Sequence, residues 1–103
     1  LSNEIKTDFN SNIDPVTVIE VFEKAKALYD SGNHQGAINA YTYVINVSTF
    51  ANDKAFFNMA VVHSKLGNKK QALYNLKVAA RLGHKRAVKI LNSKGIIWET
   101  IGI

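Results

Sequence analysis

A short motif occurs twice in the chain, 35 residues apart, and this repeat is the strongest constraint on the fold. Gly32–Asn33 followed by Ala37–Ile38 recurs as Gly67–Asn68 followed by Ala72–Leu73. Each motif joins two segments whose apolar residues recur every three or four positions, as on one face of a helix. A period in the mid-thirties with a turn inside each unit is typical of stacked helical hairpins. Such hairpins bury their apolar faces against neighbours and leave a surface for partners.

The periodic segments predict five helices. Asp14 and Pro15 predict the start of the first, because an Asp side chain accepts free backbone N–H groups and proline fits the first helical position. Asn52 or Asp53 is expected to cap the third helix, and Gly95 to end the fifth. The expected core positions are Val18, Val21, Phe22, Ala25, Leu28 and Tyr29 in the first helix, Ala37, Ile38, Tyr41, Val44 and Ile45 in the second, Phe56, Met59, Ala60 and His63 in the third, Ala72, Leu73, Leu76, Ala79 and Ala80 in the fourth, and Ala87, Val88, Ile90 and Leu91 in the fifth.

The length of 103 residues suits one domain with a modest core. Residues 1–13, rich in Asn, Ser and Asp, are expected to form a loose arm. The domain is expected over residues 14–95, with repeat one at about 15–50, repeat two at about 52–83 and a capping helix at about 84–94. Residues 96–103 form an apolar tail in which Ile97, Trp98 and Ile101 are expected to be uncovered. Because the chain begins at Leu1, a fragment or a processed form is expected.

With these residues the chain resembles the tetratricopeptide repeat family. The first unit carries Ala25, Gly32–Asn33, Ala37–Ile38 and Tyr41, and the second carries Phe56, Ala60, Gly67–Asn68, Ala72, Leu76 and Ala79. Residues 79–96 are similar to the related Sel-like repeats and to the ends of small bacterial tetratricopeptide proteins. The resemblance implies an all-α superhelix, here of two hairpins and a C-terminal capping helix. Thr49 and His63 depart from the family, which often has proline and an aromatic residue at these positions.

Charge is divided unevenly between the two halves of the chain. Residues 1–53 contain three lysines and seven acidic residues, whereas residues 54–103 contain ten lysines or arginines and a single acid, Glu99. The basic residues expected to form one surface are Lys69, Lys70, Lys77, Arg81, Lys85, Arg86 and Lys89. Such a surface suits an acidic protein, an anionic lipid headgroup or nucleic acid. Nucleic acid is disfavoured, because Tyr74 is the one aromatic residue within the basic run.

The sequence contains little that points to chemistry. It has no cysteine, which excludes disulfides, thiolate metal sites and cysteine nucleophiles. His34 is expected in a turn, His63 in the core and His84 at the start of a helix, and none has metal-ligand spacing with another. No enzyme activity, cofactor or metal is therefore expected. No apolar run approaches the roughly 20 residues of a membrane span. The compartment stays open, with a slight preference for a soluble, cytoplasmic protein.

The resemblance implies where a partner would bind. In the family, the first helix of each hairpin lines a concave groove. The corresponding residues are Phe22, Lys26, Tyr29, Phe57, Asn58, Val61 and Lys65. Aromatic anchors beside polar groups suit peptide binding. The alternative is that the rings of Phe22 and Phe57 are buried against neighbouring helices. A clamp for a peptide carboxylate is disfavoured, because Phe22 and Lys26 stand where that clamp would need Lys and Asn.

We therefore expect a non-enzymatic protein–protein interaction module that binds a peptide or a partner helix in this groove. The alternative is a structural subunit that self-associates through its charged ends and apolar tail, with the acidic first hairpin of one molecule meeting the basic end of another. A third possibility is an accessory domain of an enzyme. Two hairpins are fewer than the usual minimum of about three, which favours a homo-oligomer.

Overall fold

The computed structural model describes residues 13–100, and over this range the chain is all-α, as predicted. Its helices are α1 Pro15–Asp30, α2 His34–Val47, α3 Asn52–Lys65, α4 Lys69–Arg81 and α5 Lys85–Ser93. The chain divides into two compact units, the first ending at Ala51 and the second starting at Asn52. In unit 1, α1 packs against α2, and in unit 2, α4 packs against both α3 and α5. The predicted hairpins and the additional C-terminal helix are therefore present.

Local capping determines where the helices of unit 1 begin. The Thr17 N–H donates to Asp14 Oδ1 at 2.9 Å, which confirms the predicted start of α1. Gly32 adopts a φ of 90°, in the left-handed region that glycine enters without steric cost. The Gly36 N–H then donates to Asn33 Oδ1 at 2.9 Å, so Asn33 caps α2. The glycine–asparagine motif thus ends one helix and begins the next.

Each unit has its own apolar core, and alanine is the commonest residue of the two cores together. The buried apolar residues of unit 1 are Val18, Ala25, Ala37, Ile38, Tyr41 and Val44. Those of unit 2 are Ala55, Met59, Ala60, Val62, Ala79, Ala80, Ala87 and Leu91. Alanine at positions 25, 37 and 60 is buried as predicted, and small side chains there allow close approach of paired helices. Ala79, Ala80, Ala87 and Leu91 form a cluster onto which partly buried aromatic and aliphatic side chains pack.

The predicted core of α4 is partly wrong. Leu73 is exposed and Ala72 is only half-buried, whereas the polar Asn75 is buried. The buried face of α4 is centred on Asn75 and Ala79, and Leu73 lies about 140° around the helix from that centre, at roughly 100° per residue. A three- and four-residue apolar pattern therefore located the helix but placed the centre of its buried face incorrectly.

Two further predictions about unit 2 are wrong. Asn52 does not cap α3, because it is already the first helical residue. It follows Ala51, whose φ is 62°. The buried Oδ1 of Asn52 has no hydrogen-bond partner within the described part of the chain. An N-cap side chain must lie before the first turn to reach its N–H groups. His63 is half-buried rather than in the core, because it lies near the turn, where its Nδ1 is 3.3 Å from Asn68 Nδ2.

The tail is only partly uncovered. Ile97 is 70% exposed, as predicted. Trp98 was expected to be uncovered, but it is half-buried, packs against the cluster of α4 and α5, and donates from Nε1 to Asn92 Oδ1 at 2.9 Å. An indole at this position removes apolar area from water and satisfies its N–H at the same time. The predicted arm, apart from Ile13, and Ile101 lie outside the described residues.

Candidate partner-binding surfaces

The groove residues predicted in unit 1 lie along one face of α1 and already interact within that unit. The Phe22 ring meets the Tyr41 ring edge-on, with centroids 5.3 Å apart, and the Tyr29 ring lies 5.1 Å from that of His34. Lys26 Nζ lies 2.9 Å from Asp30 Oδ2, and the hydrogen bond to Asp30 raises the pKa of Lys26. This face therefore presents half-buried rings and a cation that is already paired.

The groove residues predicted in unit 2 lie on α3, where the Phe57 ring is held by the start of α5. The rings of Phe57 and His84 stack with centroids 4.2 Å apart and an angle of 9° between their planes. The guanidinium carbon of Arg86 lies 5.4 Å from the centroid of the Phe57 ring. Phe57 also packs against the cluster of Ala79, Ala80, Ala87 and Leu91. The alternative expectation was that neighbouring helices bury the Phe57 ring. The ring is partly buried by residues of its own unit, so this alternative holds in part.

The remaining predicted residues of this face are partly or fully exposed. Asn58, Val61 and Lys65 follow one another at three- and four-residue steps, so they share one side of α3. Val61 is 42% exposed, so part of this aliphatic side chain in the middle of α3 is in contact with solvent. Asn58 is half-buried, and Lys65 is exposed. The side chains offer an apolar contact, an amide and a cation.

The two units differ at these positions. Shifted by the repeat of 35 residues, Val61 corresponds to Lys26 and Lys65 to Asp30. The ion pair of Lys26 with Asp30 on α1 thus has no equivalent on α3, where the exposed Val61 and Lys65 occupy the same positions. Among residues 13–100 the only ion pair is that of Lys26 with Asp30, so Lys65 has no carboxylate partner there. This difference between the units could have been found from the sequence, because the 35-residue repeat aligns Lys26 with Val61 and Asp30 with Lys65.

His84 joins the cap of α5 to the aromatic stack. Its Nδ1 accepts a hydrogen bond from the Ala87 N–H at 3.2 Å, which requires an unprotonated Nδ1. Burial lowers the pKa of His84; Asp53 opposes this shift, and Lys54 and Arg86 add to it. The predicted role at the start of a helix is confirmed. The stack on Phe57 was not predicted, since the two residues are 27 positions apart and nothing local links them.

The predicted basic residues lie on the exterior of α4 and α5. Lys70, Lys77 and Arg81 follow one stripe of α4, together with Tyr74, which is 49% exposed. Lys77 is half-buried, and the other basic residues are exposed: Lys69, Lys70, Arg81, Lys85, Arg86 and Lys89. Arg86 lies over the Phe57 ring, and Arg81 Nη1 donates to the Glu99 backbone carbonyl. No residue of this surface pairs with a carboxylate in the described chain, so its positive charge is not neutralised there.

The described residues hold neither a metal cluster nor a membrane-spanning helix. Between residues 13 and 100, no group of three or more His, Asp or Glu side chains is arranged to hold a metal ion. None of the five helices combines the length and apolar character required to cross a membrane.

No known protein family, curated protein or solved structure matches this chain, so a functional assignment has to be argued from its own geometry.

Proposed function

We propose that this chain is a non-enzymatic protein-interaction module of the tetratricopeptide type, which binds a peptide or a partner helix. Within the predicted groove, the side of α3 formed by Asn58, Val61 and Lys65 is its main contact surface. The observation that carries this proposal is the exposure of Val61 beside a lysine that has no carboxylate partner in the described chain.

The α3 side chains suit a partner with an apolar side chain followed by an acidic or carbonyl group. Fully burying a valine side chain contributes about 1.5–3 kcal/mol, so covering the 42% of Val61 that is exposed would contribute on the order of 1 kcal/mol. Lys65 supplies a charged donor, and Asn58 supplies both a donor and an acceptor. Phe57 lies beside them in an orientation set by His84, which limits the entropy lost on binding.

The corresponding side of α1 is less suited to the same partner. There, Lys26 and Asp30 satisfy each other at 2.9 Å, so a ligand would have to displace an existing hydrogen bond. Phe22 and Tyr29 are half-buried against rings of their own unit. We therefore assign the main contact to α3 rather than to α1.

A displayed library of random peptides, selected on the purified protein, tests the proposal. The variant V61K/K65D places on α3 the residues of the equivalent α1 positions, where a lysine and an aspartate form an intrahelical pair. We expect this variant to fold and to bind the selected peptides at least about tenfold more weakly, because it loses both an apolar contact and a free cation. Amide chemical-shift changes on peptide binding should be largest at Asn58, Val61 and Lys65.

A matched control is Y43N, which removes an exposed aromatic residue of α2 that belongs to neither surface. It should leave peptide affinity unchanged. The proposal is wrong if V61K/K65D binds the selected peptides as tightly as the wild type, or if the shift changes lie away from α3.

A further inference from the structure

The basic stripe of α4 consists of Lys70, Tyr74, Lys77 and Arg81, at steps of four, three and four residues. These steps place the side chains in one row along the outer side of the helix. Tyr74 is 49% exposed, and Leu73 beside it is also exposed. The stripe therefore combines cations with apolar surface, and its Tyr74 hydroxyl can donate a hydrogen bond to a carboxylate.

The repeat shows that the fold does not need this stripe. The equivalent positions of α2 in unit 1 are all exposed and all uncharged: they are Gln35, Asn39, Thr42 and Asn46. Gln35 Nε2 donates to Asn39 Oδ1 at 3.1 Å, so the row in unit 1 makes local hydrogen bonds. The same type of hairpin forms with neutral residues in one unit and with three cations and a tyrosine in the other. Apart from the hydrogen bond of Arg81 to the Glu99 carbonyl, the charge in unit 2 is thus a property of its surface and is not required for the packing of the hairpin.

A complementary stripe lies on α1. Val16, Glu20, Glu23 and Ala27 have the same steps of four, three and four residues, and all four are exposed. Val16 is 65% exposed, and the neighbouring Ile19 is 50% exposed. This acidic stripe has the length of the basic stripe, carries the opposite charge and also includes uncovered apolar side chains.

From this match we propose that the acidic stripe of α1 in one molecule docks on the basic stripe of α4 in a second molecule. Glu20 and Glu23 meet the cations and the Tyr74 hydroxyl, while Val16 and Ile19 cover apolar surface near Leu73 and Tyr74. Exposed apolar groups on both stripes favour a protein partner over nucleic acid, whose phosphates would leave them in water. Because the two stripes differ, the contact joins unlike surfaces of the two molecules.

This inference develops the self-association expected from the charge pattern and does not depend on peptide binding at α3. Sedimentation velocity of the full chain at roughly 100 µM, in ionic strengths of about 0.05 and 0.5 M, measures it. The wild type should associate at low ionic strength and dissociate at high ionic strength. The variants E20K/E23K and K77E/R81E should each weaken association by at least about tenfold, since they place like charges opposite each other.

Combining the reversed charges gives the sharpest result. An equimolar mixture of E20K/E23K and K77E/R81E has complementary stripes again and should associate, as should the single chain that carries all four changes. The neutral variant K70Q/Y74N/K77T/R81N copies the residues of unit 1, so it should keep its circular dichroism spectrum and be monomeric. K54E/K94E, which alters exposed lysines outside the stripe by the same net charge, should associate at low ionic strength like the wild type.

Three results overturn the proposal. The first is a wild-type protein that stays monomeric at low ionic strength. This result overturns the proposal even if the basic stripe then binds poly-glutamate or an RNA oligonucleotide. The second is association that survives reversal of either stripe. The third is a mixture of the two reversed variants that fails to associate. V61K/K65D should associate normally, so a failure of peptide binding at α3 is distinguishable from a failure of this contact.

Discussion

His84 is the residue at which a single substitution tests most of the unit 2 geometry. Its Nδ1 caps α5 through the Ala87 N–H at 3.2 Å, and its ring stacks on Phe57 at 4.2 Å. Loss of an N-cap side chain costs about 1 kcal/mol, and loss of an aromatic pair costs about 0.5–1.5 kcal/mol. Because His84 is only half-buried, we expect His84→Ala to lower the free energy of unfolding of unit 2 by about 1.5 kcal/mol.

His84→Asn separates the two contributions. Asparagine is a good N-cap residue, so this variant should keep the cap and lose only the stack, at a cost of about 0.5–1 kcal/mol. Trp98 is the single tryptophan of the chain and packs against the unit 2 cluster, so its fluorescence reports the unfolding of this unit. Urea titrations followed by Trp98 emission give the free energies directly.

The same residue gives unit 2 a pH dependence whose sign is determined by the cap. The pKa of His84 is lowered below 6.5 by burial, so the folded unit prefers the neutral ring. The stabilisation by His84 is therefore fully present above its ordinary pKa and is lost as the pH falls through the lower pKa of the folded state. The difference in unfolding free energy between wild type and His84→Asn should be constant above this range and should shrink in acid. Subtracting the free energies of unfolding of the two proteins at each pH removes the contributions of the other histidines, which both proteins share.

Two results would refute this reasoning. One is a cost for His84→Ala below about 0.5 kcal/mol, which would mean that neither the cap nor the stack contributes to stability. The other is a difference between wild type and His84→Asn that does not change with pH. In that case protonation of Nδ1 would not be linked to the folding of unit 2.

Two further predictions concern single contacts in each unit. A Cβ atom at Gly36 would lie 2.8 Å from the carboxamide atoms of Asn33, so Gly36→Ala should displace the cap of α2 and forfeit the usual gain of alanine over glycine. In an Asn33→Ala background, Gly36→Ala should stabilise unit 1 by about 1 kcal/mol. A double-mutant cycle measured by thermal unfolding should therefore give a coupling free energy of similar size between positions 33 and 36. Additive effects of the two substitutions would contradict the close approach of Asn33 to Gly36. Trp98→Phe should cost about 0.5–1.5 kcal/mol through the lost hydrogen bond to Asn92, whereas Ile97→Ala should cost less than about 0.5 kcal/mol. Both are measured by urea titrations followed by circular dichroism, because Trp98→Phe removes the single tryptophan; equal costs would show that Trp98 is not packed as described.

Much of the helical framework could be predicted, because its signals act over a few residues. Asp14 reaches the N–H of Thr17, and Asn33 reaches that of Gly36, within a single turn. Asn68 occupies the same position in the second motif but makes no capping bond. The repeat has Gln71 where the first unit has Gly36, and the close approach of Asn33 to Gly36 leaves no room for a Cβ. An identical dipeptide therefore has two side-chain roles, and neighbouring residues determine which one it adopts.

The candidate surfaces could be predicted only in part. A basic surface was expected from the charge pattern, and six of its seven residues are exposed on α4 and α5, whereas Lys77 is half-buried. The groove residues were placed by resemblance, which gave no indication that Phe57 contacts His84 and Arg86. Nor did it show that Lys26 is paired whereas Lys65 is not. These facts depend on which residues distant in sequence lie side by side.

The sequence by itself determined the helices, the turns and the division of charge between the units, because apolar spacing, capping side chains and left-handed glycines act locally. Only the tertiary structure decided which side chains remain exposed to solvent and without a partner in their own unit. The packing of α5 against α4 brings His84 and Arg86 to Phe57. Trp98, which was expected to be uncovered, packs against the cluster of α4 and α5. Burial is a property of the assembled unit, since each side chain loses contact with water only through neighbours supplied by other helices.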